Sequence, residues 1–510
     1  MGSDERMNQS RTNPGRGRGS AVLKAAIVVF WITMTGLLVY REAWQARGGM
    51  IAPKLTAQDL ASDDAWMGVY FVKQEDGKER TAKIGYVHQT RKDANPGYML
   101  TEDTRLRLTV QGAEKSVRSR LVAAVDRDYR LLSFHYELSS DALKFGVAGE
   151  THGSVLDLKI ETGAALRRES IPVGGAAALP LNLTERIVAA GVEPGKTFTV
   201  DYFDPSTMAT DRVAVRVAAR ETETVGGQAI DVYRLDMAFK GVPIQSWMDA
   251  RGNVLRERTA SMLTLRESKE QALSGGWGKG VPMDMIDLAS IRVTRTIDRP
   301  REAARVVVRL SGADLSGLPL ADDRQTFADG VLTVTREGLT GPVAAIPYTG
   351  SDLKEFLKPT PTLQSDDPEI VAKAREIVGG RREALAAAQA LADWVNENIE
   401  KKPVVSIPSA ADVLTMRKGD CNEHAALLTA LARAAGIPAK ILVGLVYNDG
   451  AFYYHAWNAL WVGKWVAVDA TFGQFPADAT HLKVQEGDLD QQIVIARLIG
   501  RLRIDVLEER

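Results

Sequence analysis

Between Trp66 and Leu273 apolar and polar residues alternate with a period of two, in run after run. Leu106, Leu108 and Val110 interleave with Arg105, Arg107 and Thr109. Leu156, Leu158 and Ile160 interleave with Asp157 and Lys159, and Val213, Val215 and Val217 repeat the pattern. Successive side chains of a strand point to opposite faces, so this rhythm writes strands with one buried face. Turn residues punctuate the runs at Asn95-Pro96-Gly97, Gly226-Gly227 and Asp249-Ala250-Arg251-Gly252-Asn253. The expectation over residues 66–275 is one large antiparallel sheet, curled as a half-barrel or clam. His88, His135 and His152 fall among these strands and turns without partners at ligand spacing, and read as structural.

The rest of the chain must hold more than this sheet. At 510 residues it is long for a single core, so two or three domains are expected. A net charge of −1 makes no electrostatic case for a nucleic-acid partner. There is no CxxC pair, HExxH helix or EF-hand loop, so neither a metal nor another cofactor is expected. The string Asn422-Glu423-His424-Ala425-Ala426 lacks the second histidine of a zinc helix.

The N-terminus differs in kind. Residues 1–20 are polar, Gly-rich and basic, with Arg6, Arg11, Arg16 and Arg18, and read as a disordered tail. Ala21 to Tyr40 carries only Lys24, and about twenty apolar residues are what a bilayer-spanning helix needs. A transmembrane signal anchor is expected over 21–43. A cleaved signal peptide is the alternative, although the flank after Tyr40 has no clean A-x-A site. Five basic residues precede the apolar centre and three follow soon after (Arg41, Arg47, Lys54), a bias that leaves the N-terminus inside. The expectation is a single-pass protein of the inner membrane with its body in the periplasm. The lone cysteine, Cys421, cannot pair within the chain and stays a free thiol.

After Ser274–Gly280 the chain changes domain. Residues 285–350 form a small β connector, with Val306, Val308 and Leu310 alternating. Pro359, Pro361 and an acidic run announce a helix start, with Pro368 favourable at a first helical position. Gly379-Gly380 interrupts, and Leu385, Ala388, Ala392, Val395 and Ile399 then make one apolar stripe at helical spacing. In RKGDCNEHAALLTALARAAGIP, Arg417 to Pro438, Asp420 and Glu423 have capping-box spacing, and Gly436 and Pro438 stop the helix. Cys421 thus sits on the first turn, where free N–H groups lower a thiol pKa, with Asp420 opposing. Two readings of Cys421 stand at this point: a nucleophile, or a small core residue.

The next residues add a base and an acid. Ala439–Tyr447 reads as a strand, Asn448-Asp449-Gly450 as a hairpin turn, and AFYYHAWNALW and KWVAVDAT as two further strands. A three-residue turn centred on Val462 would pair Leu460 with Lys464 and, counting outward, His455 with Asp469. Cysteine, histidine and aspartate so disposed make an activated nucleophile, a proton carrier and an orienting carboxylate.

GDCNEHAALLTALARAAGIPAKILVGL, then HAW, then WVAVDAT resemble the transglutaminase-like superfamily of papain-related cysteine enzymes. The resemblance covers about residues 405–475 and maps the family's nucleophile, base and acid onto Cys421, His455 and Asp469. It implies an α+β, papain-like catalytic domain over 366–485, following the large antiparallel β domain and the single transmembrane helix. An amphipathic or strand-like segment, 486–510, then packs on the catalytic domain. It also implies a thioester route on a protein or peptide substrate, the cell envelope included, with peptidase or amidase activity ahead of cross-linking. A non-catalytic peptide-binding or envelope-assembly scaffold is the alternative. His424 is expected in a supporting polar role, and Trp457 as a wall of the cleft or as core. The backbone N–H of Cys421 is the expected oxyanion donor, with Trp394 or Asn396 as side-chain candidates.

Overall fold

The structure, a computed structural model, describes residues 62–510 except 76–77, 111–112, 141–143, 164–165, 174–176, 226–227, 260, 275–289, 342–343, 403–406 and 408. The basic tail 1–20, the apolar segment 21–43, the Gly226-Gly227 turn and the junction 275–289 therefore lie outside the described residues. Among the described residues, no helix is long and apolar enough to cross a membrane.

The alternating region is one antiparallel sheet. Its first eight strands are β1 (Asp64–Glu75), β2 (Lys78–Asp93), β3 (Tyr98–Val110), β4 (Ala113–Val125), β5 (Leu131–Ser140), β6 (Lys144–His152), β7 (Val155–Glu161) and β8 (Leu166–Pro172). Six more follow: β9 (Thr197–Asp204), β10 (Ala209–Val225), β11 (Gln228–Phe239), β12 (Val242–Met248), β13 (Val254–Arg258) and β14 (Met262–Glu267). The sheet runs from β8 inward to β1, then jumps to β14 and runs back to β9. One long-range pairing, β1 with β14, joins two meanders, with Trp66 opposite Glu267. Leu156, Leu158 and Ile160 are buried, as are Val213, Val215 and Val217, whereas Leu106 is half-buried. The sheet curls: Phe203 on the edge strand β9 packs against Phe134 of β5, ring centres 5.7 Å apart. A cavity of about 230 Å³ lies inside the curl, lined among others by Met67, Leu100, Tyr202 and Leu235.

Beyond it, β16 (Arg305–Ser311), β17 (Gln325–Ala328) and β18 (Val331–Thr335) form the connector, after the two-residue β15 (Ile291–Arg292). The end of the chain, β25 (Arg503–Glu509), completes this sheet beside β16 in the order β17-β18-β16-β25. The C-terminal segment is thus amphipathic with the period of a strand. Ile504 and Val506 are buried with Val306 and Val308, and the same cluster takes in Tyr447, Phe452, Leu482 and Val484 of the next sheet.

That next sheet belongs to the α+β region. After a two-residue parallel pair, β19 (Glu400–Lys401) and β20 (Lys418–Gly419), it holds β21 (Ala439–Asn448), β22 (Ala451–Trp461), β23 (Trp465–Val468) and β24 (Leu482–Glu486), with β15 on the far side of β22. Among the described residues the region's longer helices are α3 (Pro368–Val378), α4 (Ala384–Asn398), α5 (Ala410–Met416) and α6 (Cys421–Ala434), after two short ones, α1 (Leu183–Ala189) and α2 (Lys269–Leu273), in the large sheet's span; a single turn, Leu489–Gln492, follows β24. Pro368 opens α3 after Asp367, whose side chain caps Glu369 and Ile370 N–H. Helix α6 is buried from Glu423 to Ala432 without an exposed face, because α3, α4 and α5 enclose it on one side and β21 and β22 on the other. The large sheet meets this region through an Arg167–Asp366 ion pair and a hydrogen bond from Gly163 N–H to Asp412 Oδ2 (3.2 Å).

Candidate active site

The start of α6 is built as its sequence spells it. Asp420 Oδ1 accepts the Asn422 N–H (2.9 Å), and Glu423 Oε2 accepts the Asp420 N–H (2.9 Å). Such a cap contributes about 1 kcal/mol to holding the first turn. Gly419 is required by close approach, since a Cβ there would lie 2.2 Å from the Glu423 Cβ. Cys421 is half-buried and packs against a small apolar cluster that includes Leu363, Ala425, Ile441, Val443 and Ala456. Burial, then the Asp420 carboxylate, push its thiol well above the ordinary value, against the help of the Ala456 N–H. Loss of water and the nearby carboxylates thus act against the lowering expected of a helix N-terminus.

His455 precedes Ala456 on β22, opposite Gly444 of β21. The β22–β23 hairpin is shifted from the register expected. Trp461 pairs with Trp465 and Leu460 with Val466, so the loop is Val462-Gly463-Lys464. Gly463 takes φ +106°, a conformation that favours glycine, and this centres the turn one residue later. Moving the centre by one residue slides the partner strand by two. An even slide keeps every side chain on its face. Asp469 is therefore diagonal to His455 instead of opposite, and its Oδ2 still accepts from His455 Nε2 at 2.8 Å.

Asp469 is almost fully buried and collects four donors. Oδ2 accepts from His455 and from His481 Nε2 (3.0 Å), and Oδ1 accepts the N–H groups of Thr471 (2.7 Å) and Phe472 (3.2 Å). Burial alone would raise its pKa, but His455 and His481 reverse this and hold the carboxyl far below the usual range. Phe472 lies over the imidazole, ring centres 5.1 Å apart and 40% exposed, with the Arg301 guanidinium 4.3 Å from its ring centre.

His481, Asp478 and Phe472 escaped the sequence reading. The signal available was a repeat: Asp469-Ala470-Thr471 recurs as Asp478-Ala479-Thr480, directly before His481. Both copies fold the same local turn, with Asp478 Oδ1 accepting the Thr480 N–H at 2.8 Å. The connector holds this second turn. Arg324 donates to the carbonyls of Ala477 and Asp478, Gln325 clasps the Lys483 backbone, and Arg301 pairs with Asp478 (2.9 Å).

The remaining expected residues stand elsewhere. His424 makes no hydrogen bond to Cys421, His455 or Asp469; its Nδ1–H donates to the Asp420 carbonyl (2.7 Å). Burial pushes its pKa down, so the ring is neutral. Trp457 is buried beneath the site and walls no cleft: it lies parallel to His455 (6.0 Å) and edge-on to His481 (5.2 Å). Of the two side-chain oxyanion candidates, Asn396 is committed elsewhere. Asn396 Nδ2 donates to the Ala470 (2.6 Å) and Thr471 carbonyls, bracing the aspartate turn, and Trp394 is covered by Arg417. Among the described residues, His455, Asp469 and His481 offer three potential metal-ligand atoms within 4.8 Å of one another. Both nitrogens lie at hydrogen-bonding distance from one carboxylate oxygen, which is the geometry of two N–H donors on one acceptor.

Residues 371–470, which contain Cys421, His455 and Asp469, match the family model of the transglutaminase-like superfamily. This stretch is a transglutaminase-like domain. The chain is also 33% identical over 145 residues to an uncharacterized protein of Haemophilus influenzae, a match spanning 26% of this chain and 37% of that relative's length. Among solved structures, the domain's chain is similar to a candidate cysteine protease from Cytophaga hutchinsonii at 18% identity, covering 44% of this chain and 86% of that one (TM-score 0.27). It is similar to the periplasmic domain of TgpA from Pseudomonas aeruginosa at 17% identity, covering 37% and 91% (TM-score 0.25). A β-barrel-like protein of a domain of unknown function from Brucella abortus is similar at 11% identity, covering 40% and 95% (TM-score 0.31).

Proposed function

We propose that the transglutaminase-like domain is a thiol enzyme that cleaves or transfers an amide acyl group through a thioester on Cys421. The observation that carries this is the His455–Asp469 hydrogen bond. It occupies Nε2, which makes Nδ1 the ring nitrogen we assign to the thiol, and the Cys421 sulfur accepts the N–H of Ala456, the residue next to His455. Because burial keeps Cys421 a thiol at neutral pH, His455 takes its proton as the sulfur attacks the carbonyl carbon. The oxyanion is stabilised by the Cys421 N–H at the helix start. Asp469 balances the imidazolium, which then protonates the departing amine. Water, activated by His455, opens the thioester and restores the thiol; an amine in its place would give transfer. Phe472 offers an apolar surface to the acyl side of a peptide. We further place this domain outside the cytoplasm, tethered to the inner membrane by residues 21–43, on the strength of that apolar run.

A peptide vinyl sulfone tests the chemistry. The intact protein should gain one adduct, lost in Cys421→Ala; equal labelling of both would end the enzyme reading in favour of a peptide-binding scaffold. A reporter fused after residue 62 tests the tether, and activity in the cytoplasm would refute it.

A further inference from the structure

His481 lies outside the stretch that matches the family, is wholly buried, and has no part in the acyl transfer just described. Its two nitrogens face oxygen only. Nε2 is 3.0 Å from Asp469 Oδ2, and Nδ1 is 3.2 Å from both the carbonyl and Oδ1 of Asp478. A neutral imidazole carries one N–H and one lone pair, so one nitrogen would turn its lone pair onto oxygen lone pairs. Only the doubly protonated ring satisfies both ends.

We propose that His481 is a positioning residue, a buried imidazolium that shares Asp469 with His455 and thereby sets the pH at which the Cys421–His455 pair becomes reactive. This rests on the thiol-enzyme reading above. The charges around it balance. Asp469 faces it from the turn after β23, and Asp478 from its own turn. Arg301, before β16, is held on Asp478 Oδ2, and Arg324 is spent on the Ala477 and Asp478 carbonyls and on Glu337. Lys483 is drawn away to Asp322 (2.7 Å) and Glu486 (3.9 Å). The other faces meet the rings of Trp457, Phe472 and His455, the last 5.8 Å away centre to centre. Asp469 and Asp478 against Arg301 and protonated His481 sum to zero with His455 neutral. A proton on His455 then makes a second cation on the same oxygen. Burial alone would lower the pKa of His481, yet the two carboxylates hold it above the ordinary histidine value.

The chain has one cysteine, so alkylation by iodoacetamide, read as intact mass, reports Cys421 alone. The sulfur displaces iodide, a C–S bond forming as C–I breaks, while the thiol proton leaves to His455 or water. Rates across pH should show a low-pH limb where the pair loses its first proton. In His481→Gln, which removes the neighbouring cation, that limb should move up by about one pH unit, a roughly tenfold loss of rate below it. Asp478→Asn should move it the same way by less. A variant slowed equally at every pH would make His481 a packing residue and overturn the proposal. Should His481→Gln fail to fold, nitrogen NMR of the histidines in the unaltered protein decides: two protons on His481 at pH 7.5 support the proposal, and one overturns it. If Cys421 alkylates like a free thiol with no low-pH limb, the thiol-enzyme reading falls instead, and the proton count of His481 stands by itself.

Discussion

The six histidines divide evenly between the large sheet and the transglutaminase-like domain with its following turn. In the sheet, His88, His135 and His152 each meet a carboxylate: Asp64 at 2.7 Å, Glu137 at 3.0 Å and Asp157 at 3.1 Å. The His455–Asp469 distance, 2.8 Å, is no different. What differs is water. The His152 side chain is 64% exposed against 6% for His455 and none for His481. An exposed pair exchanges hydration for a contact of similar strength and is screened by salt. A buried pair has no such alternative, so each proton and each partner becomes obligatory. Distance alone does not set His455 and His481 apart from the sheet histidines; enclosure does.

Substitutions can break that contrast, beginning with the largest expected effect. Cys421→Ala should reduce acyl transfer on a responsive peptide to background, measured with enzyme in excess. Asp469→Asn leaves nucleophile and base in place but presents an amide to two N–H donors. Turnover should fall by about 10²–10⁴-fold. Stability should fall by about 3–5 kcal/mol, because a buried imidazolium loses its counter-charge; denaturant unfolding would read this. An Asp469→Asn protein as stable as the original would mean that the enclosed network behaves like the surface pairs.

The pH dependence of stability sharpens the same contrast. Asp469 and Asp478 have depressed pKa values. Their contribution is complete above the unfolded value of about 3.9 and is lost as pH falls through the lower folded values. His481 is raised, so its contribution is complete below about 6.5 and is lost as pH climbs through its folded value. Melting temperature should therefore be highest between roughly pH 4 and 6.5 and decline above, and His481→Gln should remove the upper decline. His424→Ala should cost less, about 1–2 kcal/mol for its bond to Asp420, and leave the alkylation profile in place. At the small end, His152→Ala should shift the melting temperature by no more than about 2 °C, an effect that salt erases.

Much of the site was legible because its parts are local. The capping box around Cys421 spans four residues, and the run after the hairpin turn that placed His455 on a strand spans eleven. The face shared by His455 and Asp469 survived an error of two in register, since parity is all that a face requires. His481 was not legible. Its contact with Asp469 depends on a turn held by Arg301, Arg324 and Gln325, which lie more than 150 residues away along the chain. Nor was the direction of the thiol's pKa, which follows from packing that no local pattern reports.

By itself, then, the sequence determined the elements around the candidate site, their buried faces, and which cysteine, histidine and aspartate we propose as nucleophile, base and acid, because propensity, capping and alternation act within one element. The tertiary structure alone decided three things: that β1 closes on β14, that the last strand completes the connector sheet, and that a second histidine shares the aspartate. Each brings together segments far apart in the chain. Such contacts are selected by which surfaces can be buried together with every polar group satisfied, a condition met only when the whole fold is in place.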